Sequence, residues 1–145
     1  MEQRVSFITL AVADLAISEA FYRALGWTPS SASVAGEIVF FQLNGVVFGL
    51  FGRQALADDA GVPNTLPGGF SGVTLSHNVR TEGEVDATLR TAIAAGATVT
   101  KAPHRASFGG IVAYFTDPDG HLWEVCFNPQ ALIAEDGAVR FGELK

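Results

Sequence analysis

Cysteine is nearly absent from this 145-residue chain: Cys126 is the only one, so no intramolecular disulfide framework can exist, and a reducing compartment is expected. Basic residues are also scarce. Nine Lys and Arg stand against fifteen Asp and Glu, a formal net charge of −6, and the nine form no cluster. Nucleic acid and anionic membrane surfaces both need concentrated positive charge, so neither is an expected partner. No apolar run approaches the roughly 20 residues of a membrane span, and the opening Met-Glu-Gln-Arg is not that of a signal peptide. A cytoplasmic location follows as the expectation. Low-complexity segments, a P-loop, a dinucleotide fingerprint and a Ser-His-Asp pattern are all missing.

Hydrophobic residues, by contrast, make up 48% of the chain, and only 17% is charged, which is the balance of a globular protein with a real core. The length suits one domain and is too short for two independent ones. Within it the chain repeats itself. Ser6–Ala11 is echoed by Ser71–Ser76, and both read as short buried strands. Each is followed by an amphipathic helix. In the first copy Asp14 is the expected N-cap, Ile17, Phe21, Ala24 and Leu25 recur at helical spacing, and Gly26 closes the helix. In the second, Thr81 and Glu84 have capping-box spacing, Val85, Leu89, Ala92 and Ile93 form the stripe, and Gly96 ends it.

Further strands come after each helix. Glu37–Leu43 and Val46–Phe51 flank Asn44-Gly45, a two-residue hairpin signal, and a short strand around Trp27–Ser33 would complete the first copy. In the second copy Thr98-Val99 leads through a loop to Ile111–Thr116. The turn Asp117-Pro118-Asp119-Gly120 then returns the chain as Leu122–Phe127. The expectation is a single domain over 1–145: module one at about 4–52, a linker at 53–69 without periodicity, module two at about 70–128, and a tail at 129–145 whose Phe141 docks on the body.

Val12-Ala13-Asp14-Leu15, Phe21-Tyr22 and Leu25-Gly26-Trp27, followed by Asp117-Pro118-Asp119-Gly120-His121-Leu122-Trp123-Glu124-Val125, resemble the vicinal oxygen chelate superfamily, which includes glyoxalases, bleomycin-resistance proteins and extradiol dioxygenases. The resemblance covers roughly residues 5–128. It implies an α+β fold: two βαβββ modules forming an open, cupped mixed sheet with helices on the outer face. It also implies homodimerisation, in some relatives with modules exchanged between chains.

Metal-dependent members place two ligands in each module, one on the first strand and one on the last. The resemblance and the internal repeat carry those positions to Phe7, Gly49, Gly72 and Glu124. Phe and Gly offer no donor atom and one carboxylate does not hold a transition ion, so no conventional metal site and no cofactor are expected, although a divalent metal stays open as an alternative. His77 falls on the opposite strand face, His121 in the turn, and His104 in a loop; none is expected to be a ligand.

Strand alternation places Phe7, Thr9, Ala11, Val47, Gly49, Phe51, Gly72, Thr74, Ser76, Leu122, Glu124 and Cys126 on the cavity face, joined by Tyr114 and by Phe108 of a glycine-flanked rim. Such a lining, apolar and aromatic with few polar points, is that of a small-molecule site. Glu124 in it is either a carboxylate whose pKa burial would raise, serving as acid/base or as a hook for a cation, or one simply bonded to a neighbouring hydroxyl. Two readings follow: a binder of a small organic molecule without metal, or an enzyme of lyase, isomerase or dioxygenase type that uses a metal or Glu124. A third is a module whose sheet serves only a partner.

Overall fold

The computed structural model describes residues 1–65 and 69–142. It divides into two compact units, Met1–Val73 and Thr74–Lys145. The fold is α+β, with mixed, open sheets.

In the first unit β1 (Phe7–Val12) leads to α1 (Leu15–Ala24), then β2 (Ile38–Gln42), β3 (Val47–Gly52) and α2 (Arg53–Ala60). The sheet order is β1-β3-β2, with β1 parallel and β2 antiparallel to β3. Helix α1 starts where the sequence says: the Asp14 carboxylate accepts the Ala16 and Ile17 N–H groups at 2.9 and 3.0 Å. Gly26, at φ +96°, takes the chain out of the helix. The buried stripe of α1 packs its aromatics against the sheet. Tyr22 touches Phe21, Trp27, Phe41 and Phe48 with ring centroids 5.1 to 5.9 Å apart. This knot is the core of the unit, and it sets the orientation of β2 and β3.

Ser18, also on α1, is fully buried, and its hydroxyl has no hydrogen-bond partner among the described residues. An unsatisfied buried hydroxyl is destabilising, so Ser18→Ala is expected to raise stability by about 1 kcal/mol. Thermal denaturation of the variant reads this as a rise in Tm of roughly 2–4 °C.

The second unit runs β4 (Leu75–Val79), α3 (Glu82–Ala95), β5 (Thr98–Arg105), β6 (Ile111–Thr116) and β7 (Leu122–Phe127), followed by β8 (Ala131–Ile133) and β9 (Val139–Phe141). Its main sheet has the order β4-β7-β6-β5, again with one parallel pair, β4 with β7. Glu84 accepts the Thr81 N–H at 2.9 Å, half of the expected capping box. Val85, Leu89 and Ala92 of α3 are buried, as are Ala113, Phe115, Trp123 and Val125 of the strands beneath it. The Asp117 carboxylate accepts the Asp119 and His121 N–H groups at 3.0 and 2.9 Å, fixing the turn that aims β7 back along β6.

Four expectations need correction. No strand forms over 27–33; instead Ser33 Oγ accepts the Phe40 N–H at 2.9 Å, and the segment is pinned to β2 by loop bonds. The expected linker holds α2, whose stripe is too short and alanine-rich to register as periodicity. Strand β5 runs on through Pro103, because it is an edge strand and its register slips between Lys101 and His104, where proline is tolerated. The segment after Pro129 pairs with itself as the β8–β9 hairpin, and Phe141 is 65% exposed, not docked.

Candidate functional site

The second unit gathers its chemistry in one row across the sheet. Register pairs Ser76 of β4 with Glu124 of β7, and Glu124 with Tyr114 of β6. The side chains follow the backbone: Ser76 Oγ donates to Glu124 Oε1 at 2.7 Å, and Tyr114 Oη donates to Oε2 at 2.6 Å. Ser76 Oγ also lies 3.1 Å from the Asn78 side-chain oxygen. A hydroxyl has one proton and the charged acceptor takes it, so an amide flip that turns the Asn78 NH2 toward Ser76 satisfies this second contact. No basic side chain is paired with Glu124 among the described residues.

The carboxylate therefore sits among hydroxyl donors, half-buried, with a spare lone pair on each oxygen. That is the second of the two roles read from sequence, a carboxylate bonded to neighbouring hydroxyls, and Ser76 of the cavity face is one of them. The negative charge marks its neighbours. The Tyr114 phenol is pushed up to about 12, first by its hydrogen bond to Glu124 and then by burial. The Cys126 thiol, one alternation along β7, is pushed up by burial and then by Glu124, which makes it a poor nucleophile.

The Tyr114 shift has a stability consequence with a definite sign. A phenol whose folded pKa exceeds its unfolded value of about 10 contributes stability below pH 10 that is lost as pH rises toward 12. Followed by NMR of ring-labelled tyrosine, Tyr114 is expected to titrate near 12, and Glu124→Gln should bring it down toward 10. An unchanged titration in Glu124→Gln would show that the bond is not formed in solution.

The first unit has the same row in apolar form. Thr9 of β1 pairs with Gly49 of β3, and Gly49 with Phe40 of β2. Matching the two rows, and the two N-caps Asp14 and Thr81, sets Thr9 against Ser76, Gly49 against Glu124, and Phe40 against Tyr114. A Cβ at Gly49 would meet Thr9 Oγ1 at 3.2 Å and the Phe40 ring at 3.4 Å, so the aromatic fills the place a longer side chain would use. Phe7, 58% exposed, stands edge-on to Phe40 with centroids 6.1 Å apart. Val47 and Phe51, half-buried, share this face by alternation.

This matching corrects the sequence echo by two residues. The counterpart of Phe7 is Thr74, not Gly72. Gly72 lies outside any strand at φ +84°, and Thr74 is exposed just ahead of β4. The N-caps, compared with each other instead of the strand echo, carried that signal. Leu122 opens β7 half-buried. Phe108, 41% exposed, belongs to a tight turn closed by Gly109 N–H to Ala106 O at 3.0 Å, and its ring lies back over Gly110. It is not a free rim.

His77 points to the α3 side of its sheet, paired in register with the buried Val125. Although its residue retains exposure, the protein around the ring lowers its pKa, against the opposing pull of Glu84. His104 Nδ1 is 3.0 Å from Ala102 O on β5.

A chelated divalent metal does not fit these residues. The first unit supplies Phe7 and Gly49, which have no donor; the second supplies the neutral Thr74 hydroxyl and one carboxylate, Glu124, too few donors to hold a transition ion. Among the described residues no group of three or more His, Cys, Asp or Glu is placed to hold an ion.

A strand, a helix and a returning antiparallel pair, used twice and carrying equivalent rows, define an α+β protein of the repeated-module class. The family follows from comparison: the Glyoxalase/Bleomycin resistance protein/Dioxygenase superfamily matches residues 4–125, and the chain belongs to it. A glyoxalase-related enzyme from Fulvimarina pelagi is 40% identical, with 98% of this chain and 100% of that one covered at a TM-score of 0.88. A lactoylglutathione lyase from Agrobacterium tumefaciens is 26% identical, with 87% and 94% covered at a TM-score of 0.66. The hypothetical protein SA1046 from S. aureus is 28% identical, with 88% and 94% covered at 0.73. No curated protein matches the chain.

Proposed function

We propose that this chain binds a small organic molecule at the Glu124 row of the second unit, without a chelated metal. The observation that carries the reading is the Ser76–Glu124–Tyr114 row itself: a half-buried carboxylate, fixed by two hydroxyls and paired with no cation among the described residues. Such a group is oriented in advance for one more donor, so the ligand presents an N–H, an O–H or an ammonium to it. The chain's net charge of −6 favours the ammonium. Apolar contact comes from Leu122 on the same strand face.

The alternative is catalysis, with Glu124 taking a proton from a bound substrate. The short Tyr114 bond favours it to this extent: it fixes Oε2 and leaves a lone pair directed elsewhere.

Calorimetry with Ni, Zn, Mn and Fe(II) is the deciding experiment, followed by a thermal-shift screen of aromatic amines on the wild type and Glu124→Ala. The expected result is no ion bound near stoichiometry at micromolar affinity. Amine binding should weaken at least tenfold in the variant, about 1.4 kcal/mol. One ion per chain, lost with Glu124, would overturn the reading and put isomerase and ring-cleavage assays first.

A further inference from the structure

We infer that the first unit holds a second small-molecule site, for a compact organic carboxylate, in the hollow between α2 and the chain that returns from it. The inference stands on this unit alone and does not depend on the Glu124 reading.

The hollow is built. Helix α2 ends at Gly61, whose φ of +67° turns the chain back on itself. The returning segment is tied to the helix: the Val62 N–H donates to Ala57 O at 3.0 Å, and Asn64 Nδ2 donates to Gln54 Oε1 at 2.9 Å. Gln54 in turn donates to Asp58 Oδ1 at 2.7 Å. Between helix and segment lies a cavity of about 190 Å³ that reaches Ala11 at the end of β1.

Its helical wall is Arg53, Leu56, Ala57 and Ala60, one face of α2 at the spacing of successive turns. Small side chains keep it open, since alanine stands at three of the lining positions. Space for about six waters, at roughly 30 Å³ each, admits a single-ring or short branched molecule and nothing much larger.

Charge selects the ligand class. Among the described residues Arg53 is the only charged one lining the cavity, and its guanidinium has no ion-pair or hydrogen-bond partner among them. The α2 N-terminus points the same way: its N-cap is Gly52, with no capping side chain, and its first turn has no acid. Unsatisfied first-turn N–H groups and the helix dipole add to the guanidinium's preference for an anion. A carboxylate matches the planar fork of Arg53 with two parallel bonds, while the apolar remainder faces Leu56, Val62 and the alanines. The Thr65 hydroxyl and the Asn64 side-chain oxygen also line the hollow and can serve a polar substituent.

The test uses the full chain and benzoate as the probe, followed by amide NMR and calorimetry. Expected are saturable shifts over residues 53–65 with Kd at or below about 1 mM. Benzyl alcohol, which has the ring without the anion, should bind at least tenfold more weakly. Arg53→Gln should weaken benzoate at least tenfold, and Arg53→Lys by less. Ala57→Leu, which fills the hollow, should abolish binding. Should Ala57→Leu not fold, the Arg53 pair still decides, because that side chain has no partner to lose among the described residues. No saturable shift, or equal benzoate affinity in Arg53→Gln, would overturn the site. Glu124→Ala should leave benzoate affinity unchanged, so failure here and failure of the Glu124 reading are separate results.

Discussion

Gly110→Ala should lower stability by about 3 kcal/mol, seen as a fall in Tm of roughly 6–12 °C, with the fold otherwise retained. A Cβ at this position would collide with the Phe127 carbonyl oxygen and with the edge of the Phe108 ring. Backbone freedom is not the reason for glycine here, since Gly110 does not have a positive φ. The reason is close approach: the strand-entry backbone passes against Phe127, the last residue of β7 and the register partner of the adjacent Ile111, and Phe108 folds over the gap. The two obstacles differ in kind. Phe108 is a side chain and can swing out, whereas the carbonyl belongs to the β6–β7 ladder and cannot move without breaking it. The double variant Gly110→Ala/Phe108→Ala should therefore recover only a minor part of the loss. Full recovery would mean that the ring, not the ladder, excludes the methyl group.

Tyr22→Ala is the larger loss, about 4 kcal/mol. The ring is fully buried and lies against Phe21, Trp27, Phe41 and Phe48, so its removal leaves a cavity walled by rigid aromatics that collapse poorly. Tyr22→Phe keeps the ring and loses only the hydroxyl, so it should cost only about 1 kcal/mol. Urea denaturation of the pair separates the contributions: the difference between the two variants is the packing of the ring. Because Phe41 and Phe48 flank Phe40 and Gly49 on β2 and β3, loss of the knot should also loosen the Thr9–Gly49–Phe40 row, read as faster amide exchange on β3. A Tyr22→Ala protein as stable as Tyr22→Phe would show that the helix repacks, and that α1 does not set the sheet.

The site makes the division between local and distant information concrete. The strand faces of Phe7, Thr9, Val47, Gly49, Phe51, Ser76, Leu122 and Glu124 were legible from alternation, because each lies in a strand whose bounds are marked by turns. Gly72 was misplaced because a six-residue echo at the level of strands is weaker than the match of helix caps, and Phe108 because a ring folded onto its own turn leaves no trace in composition. Phe40 was missed as the counterpart of Tyr114, since nothing in its neighbours says which strand it faces.

By itself, then, the sequence determined the repeat, the two capped helices, the Asn44-Gly45 hairpin and the Asp117 turn. These are interactions between residues a few positions apart, which local chemistry specifies. Tertiary structure alone decided that Ser76 meets Glu124, 48 residues away, that Pro103 is carried within an edge strand, and that Arg53 lines a hollow beside α2. Register and cavities depend on how elements far apart in the chain pack, and a one-residue slip would turn every side chain of the row to the other face.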